Sequence, residues 1–291
     1  MAESAQAQHQ DVKVLFKQWR SGDPDAGIKM AQRFSDWYYA ITVMRLGDQR
    51  ARAPLESACQ LFAQRIMEVT NAEDLIDFAH HIVLEELRSA GADSPGGDFP
   101  NNITQQQSPS ALLSQASAAL SPEQIHLLHL TYTGQGDIMD VDQSMPFSAL
   151  EARHALKHVL HETGIQFAIL PTEPDMDRAP MPLYESRRLA SPEEERRFEQ
   201  WLLTNHDLCT DIAQFSSFAH ALRAGALHGA HSETGAATPQ PARASSTTAP
   251  ASSNTLPPTP AKPAEPSSKL PLFIGGGILV GLLIAAALYM S

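Results

Sequence analysis

Apolar residues recur along this chain three and four positions apart, the period of a helix with one buried face. Val12, Leu15, Phe16 and Trp19 make the first such stripe. Asp23 followed by Pro24 is a cap with proline in the first turn. It opens a second helix whose face runs through Met30, Phe34, Trp37, Tyr38 and Ile41 toward Gly47. The pattern predicts a third helix from Pro54, carrying Leu55, Ala58, Phe62, Ile66 and Val69, and a fourth capped by Asn71, with Leu75, Phe78, Ile82 and Leu87 inward. Residues 89–108 are rich in Gly, Pro, Ser and Asn and read as a loop.

Helical spacing resumes beyond that loop. Ser108-Pro109 opens a helix to about Ala119, and Ser121-Pro122-Glu123-Gln124 is a capping box for the next, closed by Gly134. A short helix over 138–143 and a longer one over about 148–163, ended by Gly164, follow. IQFAIL (165–170) is the one candidate strand, and alone it makes no sheet. Ser191-Pro192-Glu193-Glu194 reads as a further capping box ahead of Phe198, Trp201 and Leu202, and Asn205 begins a last helix with Leu208, Ile212, Phe215, Ala219 and Leu222. The expected class is all-α, in helical units spanning 1–92, 93–164 and 165–231.

After residue 231 the period vanishes. Residues 232–269 hold eight prolines among Ala, Ser and Thr, a composition that buries no core and reads as a disordered linker. Then comes LPLFIGGGILVGLLIAAALYM, residues 270–290, which is uncharged. As a helix it would extend about 30 Å, the thickness of the hydrocarbon core of a bilayer, so a single C-terminal transmembrane helix is expected. MAESAQAQHQDVK shows neither the basic start nor the apolar stretch of a secretory signal, so the body is expected in the cytoplasm and the anchor in the cytoplasmic (inner) membrane. Gly277 and Gly281 form a G-x-x-x-G pair continued by Ala285, spacing that lets two spans pack closely as a homodimer.

Charge narrows the function further. The chain has 33 acidic and 21 basic residues, and each of the three helical ranges carries more Asp and Glu than Lys and Arg. An electrostatic grip on nucleic acid is therefore not indicated. Two cysteines, Cys59 and Cys209, make no disulfide scaffold.

Candidate chemistry is sparse. No Gly-rich phosphate loop, nucleophile elbow or metalloprotease signature is present, so a non-enzymatic protein without a cofactor is expected. His154, His158 and His161 share a face of one predicted helix, with His126 and His129 in the preceding one. No cysteine or carboxylate completes a site in sequence, and the face reads as solvated or partly buried. Trp37-Tyr38-Tyr39 reads as core for at least two of the three, and Arg45, Arg50 and Arg52 as a solvated turn.

LFKQWRSGDPDAGIKMAQRFSDWYYAI (15–41), followed by Ala72-Glu73-Asp74-Leu75, resembles region 2 of extracytoplasmic-function sigma factors of bacterial RNA polymerase. LSPEQIHLLHLTYTGQG and PFSALEARHALKHVLHETG resemble region 4. The resemblance implies a protein-contact surface at Glu73, Asp74 and Asp77, with RNA polymerase or a sigma factor as the partner. For the alternative of a divergent sigma factor directing transcription initiation, it implies DNA contacts from Arg153 and Lys157. There are departures: an extra helix precedes Ala72, DFAHHIVLEELRS is acidic where the family is aromatic and basic, and the recognition segment has only those two cations.

LYESRRLASPEEERRFEQWLLTNHDLCTDI (183–212) is similar to the zinc-binding domain of anti-sigma factors. Its metal motif is incomplete: His206 and Cys209 remain, while Ile212 stands where a second cysteine is required. Zinc is not expected, and apolar packing of Ile212 with Trp201, Leu208 and Phe215 replaces it. The reading that follows is a membrane-tethered regulatory or interaction protein on a sigma/anti-sigma-like scaffold. A scaffold that assembles with copies of itself is a further alternative.

Overall fold

The computed structural model describes residues 11–92, 108–134, 145–170, 173 and 175–227. The regular elements of the described residues are all helices: α1 (Val12–Arg20), α2 (Pro24–Leu46), α3 (Asp48–Arg65), α4 (Leu75–Ser89), α5 (Pro109–Ser117), α6 (Pro122–Thr133), α7 (Met145–Glu162), α8 (Met181–Glu185), α9 (Pro192–Thr204) and α10 (His206–Arg223). Short 3-10 turns lie at Ile66–Glu68 and Met176–Arg178. No strand occurs among the described residues, so the fold is all-α.

Caps explain most of the boundaries. The Asp23 carboxylate accepts from the backbone N–H groups of Asp25 and Ala26 ahead of α2. The Ser121–Gln124 box is reciprocal, at 3.2 and 2.9 Å. At Ser191 half of the box forms: its hydroxyl accepts from Glu194 N–H, while the Glu194 carboxylate turns back to the N–H of Ala190. Gly134 and Gly164 take φ of 70° and 101° just past α6 and α7, a left-handed step that glycine makes without Cβ strain.

Several boundaries depart from the pattern. α3 begins at Asp48, and Pro54 lies inside it. Gly47, at φ 74°, closes α2 and lets the next helix start at once, so Pro54 sits a turn and a half in and forgoes its bond to the Arg50 carbonyl. α4 starts at Leu75. Asn71 instead accepts from Glu73 N–H within the preceding turn. α7 starts at Met145, with Pro146 in its first turn. The 165–170 segment is no strand: its backbone is held by side chains, Gln214 accepting from Ala168 N–H and Lys157 donating to the Ile169 carbonyl. The helix expected at 138–143, the linker at 232–269 and the span at 270–290 with Gly277, Gly281 and Ala285 lie outside the described residues. Among the described residues no helix is long and apolar enough to cross a membrane.

The ranges 1–92, 93–164 and 165–231 all feed one hydrophobic cluster running from Val12 to Leu227. Its centre is the long contact of α10 along α2, so the last helix in sequence packs on the second. Phe34 meets Phe62 at 4.6 Å, and Tyr38 meets Phe62 edge-on at 6.1 Å. Trp37 and Tyr38 are fully buried and Tyr39 is exposed, so two of the three aromatics pack in the core. Burying rings of this size contributes about 1.5–3 kcal/mol each.

Candidate functional site

Charge enters this core in two places, each drawing a side chain from α8. Glu185 and Asp211 are buried, and so are Arg153 and Lys157 of α7. Arg153 donates through Nε and Nη2 to the two Glu185 carboxylate oxygens at 2.8 and 2.6 Å, a bidentate pairing, and through Nη2 to Asp211 Oδ1 at 3.1 Å. Lys157 Nζ donates to Asp211 Oδ1 at 2.7 Å, and the Tyr132 hydroxyl donates to Glu185 at 2.5 Å. The Arg153 guanidinium also lies 4.3 Å from the centre of the Phe215 ring. Burial pushes the Asp211 carboxyl up, but Arg153 and Lys157 outweigh it and hold the group below the ordinary value. Burial lowers Lys157 despite its bond to Asp211. Two cations and two anions thus close on one another with the charge balanced.

The second cluster sits one residue along α8. Glu199 of α9 is wholly buried; its Oε1 accepts from Arg45 Nη2 of α2 at 2.6 Å and from the Tyr184 hydroxyl at 3.0 Å. Its Oε2 meets His80 Nε2 of α4 at 2.6 Å, and its backbone carbonyl accepts from Trp37 Nε1 at 2.6 Å. Burial raises the Glu199 carboxyl, while His80 and Arg45 bring it net below the ordinary value. It is therefore ionised, which fixes Nε2 of His80 as the donor. One side chain binds α2, α4, α8 and α9 together.

Arginines also close helix ends. Arg188 Nη1 donates to the Leu130 and Thr131 carbonyls at the end of α6, Arg187 reaches Ala92 and Arg50 reaches Ala90 beyond α4, and Arg223 reaches Met44 in the last turn of α2. Carbonyls that the helices leave unpaired are thereby satisfied by cations at the negative end of each dipole.

These placements correct the possible DNA contact. Arg153 and Lys157 are buried, 2% and 0% exposed, with their donors on Glu185, Asp211 and Ile169. In this fold neither reaches a phosphate. The basic cluster is also dispersed: Arg45 is buried on Glu199, Arg50 caps α4 and Arg52 pairs with Glu56.

Glu73, Asp74 and Asp77 are all exposed around the start of α4. Glu73 pairs with Lys13 of α1, and Asp77 accepts from Arg196 and Gln200 of α9. The three carboxylates form one acidic edge where α1, α4 and α9 meet. In the anti-sigma-like segment, His206 faces Asp36 at 3.4 Å, the buried Cys209 thiol donates to the Leu202 carbonyl, and Ile212 lies in the core beside Leu208 and Phe215. Burial raises both thiols, Cys59 to about 12, so both stay protonated and poorly nucleophilic. A cleft of about 180 Å³ beside Tyr184, Arg187 and Ser191 falls short of the 300–1,000 Å³ usual for small-molecule sites.

No known protein family, curated protein or solved structure matches this chain.

Proposed function

We propose that this chain is a membrane-tethered, non-enzymatic regulatory protein whose all-α body holds a protein partner at the bilayer, with the acidic edge Glu73, Asp74 and Asp77 as its contact surface. The distribution of charge carries this reading. The cations of the helix that resembles a promoter reader are interred on Glu185 and Asp211, whereas the carboxylates in the polymerase-contact position stand in solvent. That arrangement favours protein contact over promoter recognition, because sequence-independent DNA affinity requires exposed Lys and Arg. The apolar run 270–290 and the proline-rich composition of 232–269 support the tether. The mechanism is sequestration: affinity at the acidic edge sets how much partner remains free. By the sequence resemblance, the partner is RNA polymerase or a sigma factor.

The test is a crosslinked pull-down of the full anchored chain, scored for polymerase subunits and sigma factors, beside an Asp74→Lys variant. Among the described residues the Asp74 carboxylate has no side-chain partner, so charge reversal there leaves the fold's ion pairs in place. Capture by the native chain, lost on reversal, supports the proposal. Capture of neither class, or salt-sensitive DNA binding by the native chain, overturns it.

A further inference from the structure

His154 and His158 lie one turn apart on α7, and i, i+4 is the spacing at which two histidines on a helix chelate a single metal ion. Their side chains are arranged accordingly. The two Nε2 atoms share a hydrogen bond at 2.9 Å, whose proton a chelated ion would displace, and the rings lie within 19° of parallel, with centroids at 4.8 Å. His154 is nearly buried, whereas His158 is half-buried, so the pair opens toward solvent on one side. Glu151 and Glu162, exposed at i−3 from His154 and i+4 from His158, add negative potential along the same face.

The separation of the nitrogens selects among metals. With metal–nitrogen bonds of about 2.05 Å, donors 2.9 Å apart subtend about 90° at the ion, whereas a tetrahedral angle would require about 3.3 Å. A right angle suits the tetragonal coordination of Cu²⁺ or Ni²⁺ and not the tetrahedral coordination of structural zinc. Among the described residues no third metal-type side chain converges on the pair, so the remaining positions fall to water. The intervening residues, Ala155, Leu156 and Lys157, include no glutamate to serve as a general base, which distinguishes the site from the metalloprotease helix of the same spacing.

We propose that His154 and His158 form a two-nitrogen chelate for a late divalent transition metal, Cu²⁺ or Ni²⁺, on the solvent side of α7. The proposal rests on the geometry of this helix and stands apart from the sequestration reading. It is tested on the full chain in detergent, purified without a polyhistidine tag, by titration with Cu²⁺, Ni²⁺ and Zn²⁺ and by the electron paramagnetic resonance spectrum of the Cu²⁺ form. The expected result is Ni²⁺ bound more tightly than Zn²⁺, a Cu²⁺ spectrum with two imidazole nitrogens, and loss of Cu²⁺ affinity by more than about tenfold in either His154→Gln or His158→Gln. Loss of even an outer-shell partner at a metal site has effects of about that size. Circular dichroism accompanies each variant, and should His154→Gln fail to fold, the half-buried His158→Gln carries the test. Affinity unchanged in a folded variant, Zn²⁺ bound more tightly than Ni²⁺, or no binding by the native chain overturns the proposal.

Discussion

His220 makes the stability of this fold depend on pH in a calculable way. Both ring nitrogens are engaged: Nε2–H donates to the Val43 carbonyl at 2.9 Å, and Nδ1 accepts from Arg223 Nη2 at 2.5 Å. Protonating Nδ1 would break the second bond and set a new cation against Arg223. Burial first, and Arg223 second, push the imidazole from 6.5 down to about 4. The unfolded chain takes up that proton near pH 6.5 and the folded chain does not, so stability falls as pH falls from about 6.5 toward about 4. A gap of about 2.5 units corresponds to about 3 kcal/mol below that window, and to about 2 kcal/mol at pH 5 relative to pH 8. The perturbation is His220→Gln, whose amide can donate to Val43 without titrating. Urea unfolding of the full chain in detergent, followed by tryptophan fluorescence at pH 8 and pH 5, measures the difference. The native chain should lose about 2 kcal/mol more than the variant over that interval, or about 4–8 °C in Tm for a body of this size. Parallel losses in the two proteins would refute the reasoning, since carboxylates elsewhere titrate equally in both.

Glu199→Gln should cost about 3 kcal/mol in the same urea assay, because it leaves Arg45 with only the more distant Glu195, while the double variant Arg45→Met/Glu199→Leu should recover only part of that loss, since His80 and Tyr184 then lose their acceptor. Removing residues 269–291 should abolish membrane association on fractionation and leave the circular-dichroism melt of the body unchanged. Leucine at both Gly277 and Gly281 should remove crosslinked dimers in membranes; crosslinking at the native level would exclude close packing of the spans through that pair.

The helices were legible because their information is local. Apolar spacing and caps such as Asp23, Ser108 and Ser121 place α1, α2, α5 and α6 nearly to the residue. Boundaries failed where a strong local signal had another use. Pro54 suggests a helix start, yet Gly47 had already freed the chain to begin at Asp48. Asn71 resembles a cap and instead stabilises the turn before α4. The single shared core was illegible, because contacts such as Trp37 with Glu199 and His220 with Val43 span most of the chain.

The buried charges were the larger omission, although a signal for them exists. Glu199 stands three and four positions before Leu202 and Leu203, and Asp211 stands three after Leu208 and four before Phe215, each within the apolar stripe of its own helix. Arg153 and Lys157 hold the equivalent register between Leu150 and Leu160. A charge placed there must be buried with a complement, since an isolated ion inside a protein costs several kcal/mol. The chain supplies anions in α8 and in the stripes of α9 and α10, and cations in those of α2 and α7, and the pairs form across those helices. Reading Arg153 and Lys157 by the family resemblance makes them DNA contacts; reading them by helical register makes them core. The same test separates the acidic edge from the core anions: Glu73 precedes α4 and Asp77 lies off the stripe of Leu75, Ala79 and Ile82, so their carboxylates remain in solvent.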